Sequence, residues 1–185
     1  MTIGDISKIE LTRSSFKDII ANNNFYVDKT KMIENFLISS NSVHLVARQR
    51  RLGKTLNMDT LRCFLTDKED LRHLFKGLYI EKSSVWEMAN SAPVFYFDFK
   101  GLTQGDFRRQ IVMQVYKNMS MHIDPGDLRG YHKIQVEHLI NNPDKGEGAL
   151  RILTEIIYDL TGKRSYLLID EYDQLLMHNY DNEHY

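Results

Sequence analysis

The chain has 185 residues, 42% of them hydrophobic, which is enough for one globular domain with a substantial core. Its 24 Lys and Arg balance 25 Asp and Glu, so the net charge of -1 gives no support for DNA binding beyond a local basic patch. The single cysteine excludes a disulfide framework and favours a cytoplasmic location. Because the sequence has no long apolar run and no secretory signal, we expect no membrane contact.

The pattern of residues 1–40 predicts short helices and one extended segment ahead of the core, residues 41–185. A serine cap before an apolar pattern predicts a helix over residues 14–20, and residues 25–30 predict an extended segment. A second helix is predicted because apolar residues recur at helical spacing, namely Met32, Ile33, Phe36 and Leu37.

Residues 41–185 alternate between predicted strands and predicted helices. The short β-rich run at residues 42–47 predicts a buried strand, and the apolar spacing of residues 55–65 predicts a helix. Gly77 predicts a turn followed by a short strand or extended piece. Strands are further predicted in residues 92–101 and 165–176, with helices between them at residues 104–123, 131–140 and 147–163.

Nearly all-apolar strands separated by helices indicate an α/β fold with a mostly parallel sheet. Ligands of such sheets bind at the carboxyl ends of the strands. Three candidate positions fall at such ends: the loop after Ala47, Asp98, and the pair Asp170–Glu171.

The loop after residue 47 resembles a phosphate-binding loop. Its sequence RQRRLGKT, residues 48–55, fits the pattern G-x-x-x-x-G-K-[ST] at every position except the first, where Arg48 replaces glycine. In such a loop Gly53 admits the phosphates to the backbone, Lys54 reaches the β- and γ-phosphates, and Thr55 supplies a hydroxyl to Mg²⁺. The alternative is a G-K-T tripeptide in an ordinary helix cap.

The sequence YLLIDE, residues 166–171, has the form of the acidic strand that accompanies phosphate loops. Asp170 would support Mg²⁺, and Glu171 would orient or deprotonate the attacking water. The alternative is a strand that ends in solvated acids. The two motifs together indicate a nucleotide site. Asp98 is left open between a second carboxylate near the metal and a structural role.

Three stretches, FYVDKTKMIENFL, ARQRRLGKTL and YLLIDEYDQLL, resemble the AAA-ATPase-like family of bacteria and archaea, and the resemblance spans residues 16–176. It implies a three-layer P-loop NTPase fold, with ATP and Mg²⁺ as cofactors. By resemblance Lys54 and Glu171 are catalytic, and Thr55 and Asp170 bind the metal. The implied nucleotide-binding residues are Arg48, Arg50, Arg51, Leu52, Gly53, Lys54, Thr55 and Leu56.

The same resemblance implies that the ATPase region of this family continues beyond residue 185. We therefore expect an incomplete sheet and a fragment of a longer ATPase. Family members are often joined to a C-terminal PD-(D/E)XK nuclease-like domain, so such a domain or a partner chain is an expected partner. Two functions stay open. The first is Mg²⁺-dependent ATP hydrolysis in the complete protein. The second is a nucleotide-binding regulatory or interaction module for an attached nuclease or DNA-binding partner, with little or no hydrolysis in this truncated chain.

Overall fold

The computed structural model describes residues 2–5, 7, 15–47, 52–101, 106–146 and 148–172. The chain divides into two compact units, Met1–Ser91 and Ala92–Tyr185. Across the described residues, no helix combines the length and the apolar character needed to cross a membrane.

The first unit contains short strands, helices and 3₁₀ turns. Strand β1 (Thr2–Ile3) pairs antiparallel with β2 (Tyr26–Val27). The helices are α1 (Phe16–Ala21), α2 (Lys31–Ile38) and α3 (Lys54–Leu65). The 3₁₀ turns are Arg72–Phe75, Tyr79–Lys82 and Trp86–Met88. The three predicted helices of this unit are thus present, each within a few residues of its expected bounds.

An aromatic cluster holds the core of the first unit. The ring of Phe75 lies 4.9 Å from that of Phe16 and 5.5 Å from that of Phe64, and all three side chains are buried. A hydrogen bond also ties the start of α1 to α3, because the backbone N–H of Phe16 donates to Asp59 Oδ2 at 2.7 Å. The hydroxyl of Ser15 caps α1 by accepting from Asp18 N at 3.3 Å, as the sequence predicts.

The prediction of a buried strand over residues 42–47 is wrong. The segment has no strand pairing in the described structure, and Val43, Leu45 and Val46 are 82%, 70% and 56% exposed. A β-rich apolar run becomes a buried strand only when a neighbouring strand pairs with it, and the local sequence does not specify that neighbour. The piece after Gly77 also differs from prediction, since a 3₁₀ turn follows the glycine where a strand or extended piece is expected.

The second unit is built on a parallel strand pair. Strands β3 (Val94–Asp98) and β4 (Tyr166–Asp170) pair in register from Val94 with Tyr166 to Asp98 with Asp170. Between them run α4 (Phe107–Ser120), α5 (Gly130–Asn141) and α6 (Ala149–Thr161), with 3₁₀ turns at Pro125–Asp127 and Pro143–Lys145. The predicted helices of this unit and its first strand are confirmed. The second predicted strand is present but ends at Asp170, and residues 173–176 of that prediction lie outside the described residues.

The helices of the second unit pack on one face of the strand pair. Phe95 and Phe97 alternate along β3 with residues of the other face, as the two-residue period of a strand requires. They are buried in a cluster with side chains of α4 and α6, including Val112, Val115, Met119, Leu153, Ile156 and Ile157. This cluster fixes the strands against the helices.

Two side-chain amides of α4 bond the edge of β3 that faces away from β4. Asn118 accepts from Tyr96 N and donates to Tyr96 O, both at 3.1 Å. Gln114 accepts from Asp98 N at 3.0 Å and donates to Asp98 O at 2.9 Å. The two amides therefore satisfy backbone groups that would otherwise need a neighbouring strand.

The structure is thus a mixed arrangement of helices and strands that includes one parallel pair in its described part. In this coarser form the predicted α/β class is confirmed. The assignment of residues 1–185 to a single P-loop domain stays a prediction.

Candidate functional site

A left-handed glycine opens α3. Gly53 has φ 74° and ψ 29°, a conformation that side-chain-bearing residues adopt only at a cost, and its carbonyl accepts from Asn57 N at 2.9 Å. The backbone N–H groups of a first helical turn point along the helix axis, away from the carbonyls of the helix, and in α3 that turn begins at Lys54. The helix dipole adds partial positive charge at the same point. This end of α3 is therefore suited to an anion.

Lys29 brings a further positive charge to this end of the helix. A Cβ atom built on Gly53 would lie 3.9 Å from the ammonium nitrogen of Lys29. Lys29 is the lysine of the YVDKT segment, and the sequence motifs assigned it no role. The structure thus adds one cation that motif reasoning missed.

The residues on either side of Lys29 are held by hydrogen bonds. Asp28 Oδ1 accepts from the N–H and hydroxyl of Thr30, at 2.8 and 2.7 Å, and Asp28 Oδ2 accepts from Tyr79 N at 2.7 Å. The hydroxyl of Thr30, a residue with 0% exposure, also accepts from Ile80 N at 3.1 Å. Asp28 and Thr30 therefore anchor the backbone on which Lys29 stands.

The structure describes only part of the predicted phosphate-binding loop. Arg48, Arg50 and Arg51 lie outside the described residues. Leu52 is exposed just before Gly53, and Leu56 is half-buried in the first turn of α3.

Asp170 ends β4 as a buried carboxylate, 6% exposed. Its Oδ2 accepts from the hydroxyl of Tyr96 at 3.1 Å, and its Oδ1 accepts from Glu171 N at 3.0 Å. Its carbonyl accepts from Phe99 N at 3.2 Å, which closes the ladder between β3 and β4. These bonds fix both the backbone and the carboxylate of Asp170.

Glu171 stands in a strained backbone conformation. Its φ is 52°, in the left-handed region that residues other than glycine enter at a cost of about 1–3 kcal/mol. Such strain concentrates at functional sites, where the surrounding structure has to enforce it. The half-buried side chain of Glu171 follows the buried Asp170 directly.

Asp98 pairs in register with Asp170 at the carboxyl ends of the two strands. Its side chain is exposed, and its Oδ1 accepts from Lys100 N at 2.8 Å, as in a turn after a strand. This contact favours the structural reading of Asp98. In the part of the chain that the structure describes, no three His, Cys, Asp or Glu side chains cluster as ready-made metal ligands.

The described elements define a mixed α/β protein with a glycine-capped helix and an acidic strand end. The chain belongs to the AAA-ATPase-like family, described as "Predicted AAA-ATPase", whose family model matches residues 11–185. The resemblance seen in the sequence is thereby confirmed, and the family description supports ATP and nucleotide binding in general terms. No curated protein and no solved structure matches the chain.

Proposed function

We propose that this protein is a P-loop module that binds ATP with Mg²⁺ and contributes to its hydrolysis. The observation that carries the proposal is the left-handed Gly53 at the start of α3, followed at once by Lys54 and Thr55, in a member of an ATPase family. Such a helix end is a common binding point for phosphate.

In this proposal the glycine end of α3 binds the phosphates of ATP. Gly53 lets the backbone approach the phosphates, and the ammonium of Lys54 bridges the β- and γ-phosphates. Lys29 adds charge beside Gly53. Leu52 and Leu56 flank this backbone. Guanidinium groups suit phosphate oxygens, and in this proposal one or two of Arg48, Arg50 and Arg51 supply further contacts.

The acidic end of β4 supplies the metal and water chemistry. Mg²⁺ prefers oxygen ligands and usually binds few carboxylates, so the Thr55 hydroxyl and the Asp170 carboxylate are ligands of the right kind. Bound Mg²⁺ would neutralise phosphate charge during transfer. Glu171 would accept the proton of the attacking water or orient that water.

The parallel pairing of β3 with β4 is compatible with a P-loop fold, in which the helices on one face of these strands would form one of the three layers. We extend the proposal to the whole protein as an ATPase joined to a nuclease-like domain or a partner chain. A regulatory role without turnover is the competing outcome of the experiments below.

Calorimetric titration with ATP and Mg²⁺ tests the binding step. Lys54→Ala should abolish measurable binding, because it removes the cation that contacts the β- and γ-phosphates. Lys68→Ala is the matched control, since Lys68 is an exposed lysine of the same unit and should leave the affinity unchanged. Equal ATP affinity in both variants would refute the proposed site.

Phosphate release by the purified chain tests the hydrolysis step. Glu171→Gln should remove steady turnover and keep ATP binding, because it removes the base and retains the size of the side chain. Glu155→Gln is the control, because Glu155 is an exposed carboxylate that forms a surface ion pair with Arg151. Binding by the wild type without turnover would support the regulatory role instead.

A further inference from the structure

The hydroxyl of Tyr96 reaches the carboxylate of Asp170 diagonally across the parallel pair. Asp98 is the register partner of Asp170, and Tyr96 lies two positions earlier on the same face of β3. From there its hydroxyl donates to Asp170 Oδ2 at 3.1 Å. The two residues are 74 positions apart in the sequence, so only the fold brings them together.

This hydrogen bond restricts a carboxylate that is already held on its other side. Asp170 is 6% exposed, and its Oδ1 accepts from Glu171 N at 3.0 Å. An ionised carboxylate oxygen can accept a hydrogen bond and still bind a cation, because it has two lone pairs. Donors on both oxygens therefore restrict the orientation of Asp170.

We propose that Tyr96 is a positioning residue that orients Asp170 toward a divalent cation. The inference rests on the proposed function, because it assumes that Asp170 supports Mg²⁺. Its physical basis is that Mg²⁺ demands near-ideal octahedral geometry, so a carboxylate free to rotate would bind it less well. Residues that hydrogen-bond a metal ligand typically raise metal affinity by fixing that ligand.

The contribution of the Tyr96 hydroxyl can be tested separately from that of its ring and backbone. The backbone of Tyr96 is bonded at both N–H and C=O by the amide of Asn118. Tyr96→Phe keeps the ring and these backbone bonds and removes only the donor to Asp170. A thermal unfolding curve verifies that the variant is folded before metal binding is compared.

The experiment measures Mn²⁺ affinity, by electron paramagnetic resonance of free Mn²⁺, in the presence of a non-hydrolysable ATP analogue. Tyr96→Phe should weaken Mn²⁺ binding about tenfold, the lower end of the effect found when a metal ligand loses its hydrogen-bond partner. Affinity for the analogue in EDTA should stay unchanged. Tyr79→Phe is the matched control, because its hydroxyl donates to a different carboxylate, Glu34 Oε2, at 2.6 Å.

A double-mutant cycle separates positioning from a general structural effect. If Tyr96 acts through Asp170, Tyr96→Phe should have no further effect on Mn²⁺ affinity once Asp170→Asn is present. Unchanged Mn²⁺ affinity in Tyr96→Phe, or an equal loss in both backgrounds, would overturn the inference and leave ATP binding standing. Failure of the wild type to bind the analogue at all would instead overturn the proposed function, and the inference with it.

Discussion

The sharpest test of the proposed phosphate site at the start of α3 compares two left-handed glycines. Gly53 and Gly77 have φ of 74° and 80°, and both belong to the first unit. Among the residues that the structure describes, a Cβ on Gly77 would meet nothing within 4 Å, and a Cβ on Gly53 would meet the ammonium of Lys29 at 3.9 Å. Neither alanine substitution therefore clashes with a described residue, and backbone strain is the cost that the two share.

That strain sets the expected loss of stability. An L-residue in the left-handed region costs about 1–2 kcal/mol, so Gly53→Ala and Gly77→Ala should destabilise the protein equally. For a chain of this size the melting temperature should fall by about 2–8 °C in each variant. Calorimetric or fluorescence melting curves check this step.

ATP affinity should separate the two variants. In Gly53→Ala the new methyl group would lie beside Lys29, in the space where a phosphate has to approach the backbone. If the backbone relaxes to negative φ instead, the first amides of α3 turn away from that space. We therefore expect ATP binding at least about tenfold weaker in Gly53→Ala, a loss of about 1.4 kcal/mol, and unchanged in Gly77→Ala.

A third variant separates strain from bulk. Asparagine tolerates the left-handed region better than alanine, so Gly53→Asn should recover part of the lost stability. It should not recover ATP affinity, because its side chain still occupies the approach to the backbone. Equal and unchanged ATP affinity in all three variants would show that phosphate does not bind at this end of α3.

Three further predictions concern other parts of the molecule. Asn118→Leu should lower the free energy of unfolding in urea by about 2 kcal/mol, since it removes both backbone partners of Tyr96, whereas Gln114→Ala should cost less because its bonds are more exposed. Burial raises the pKa of the Cys63 thiol from its usual value near 9.0 to about 12. The unfolded state therefore loses the proton first, and stability should fall by up to about 1.4 kcal/mol per pH unit above pH 9, a slope that Cys63→Ala should remove from urea titrations. Lys29→Gln should weaken ATP binding in calorimetry more than AMP binding, and equal losses for both would argue against a contact with the outer phosphates.

Local patterns in the sequence predicted most of the helices and strands. Helix α6 shows why, because its apolar face recurs at helical spacing and Gly162 ends it with φ 68°. The apolar strand pattern likewise predicted both β3 and β4. These signals are local, so they needed no knowledge of the tertiary structure.

The failures of sequence reasoning come from contacts between distant residues. Residues 42–47 have the composition of a buried strand, but burial depends on a pairing partner that no local pattern specifies. The sequence patterns gave no role to the hydroxyl of Tyr96 or to the ammonium of Lys29 for the same reason. Each gains its neighbour, Asp170 or Gly53, only when the chain folds.

The amides of α4 also limit how the sheet of the second unit can grow. Tyr166 N donates to Pro93 O and Phe99 N donates to Asp170 O, so odd-numbered residues of β3 bond toward β4. The even-numbered Tyr96 and Asp98 bond toward the opposite edge, where Asn118 and Gln114 already satisfy them. A strand could pair there only by displacing both amides. The amide contacts therefore favour the addition of a further strand beside β4, the strand that carries Asp170, over addition beside β3.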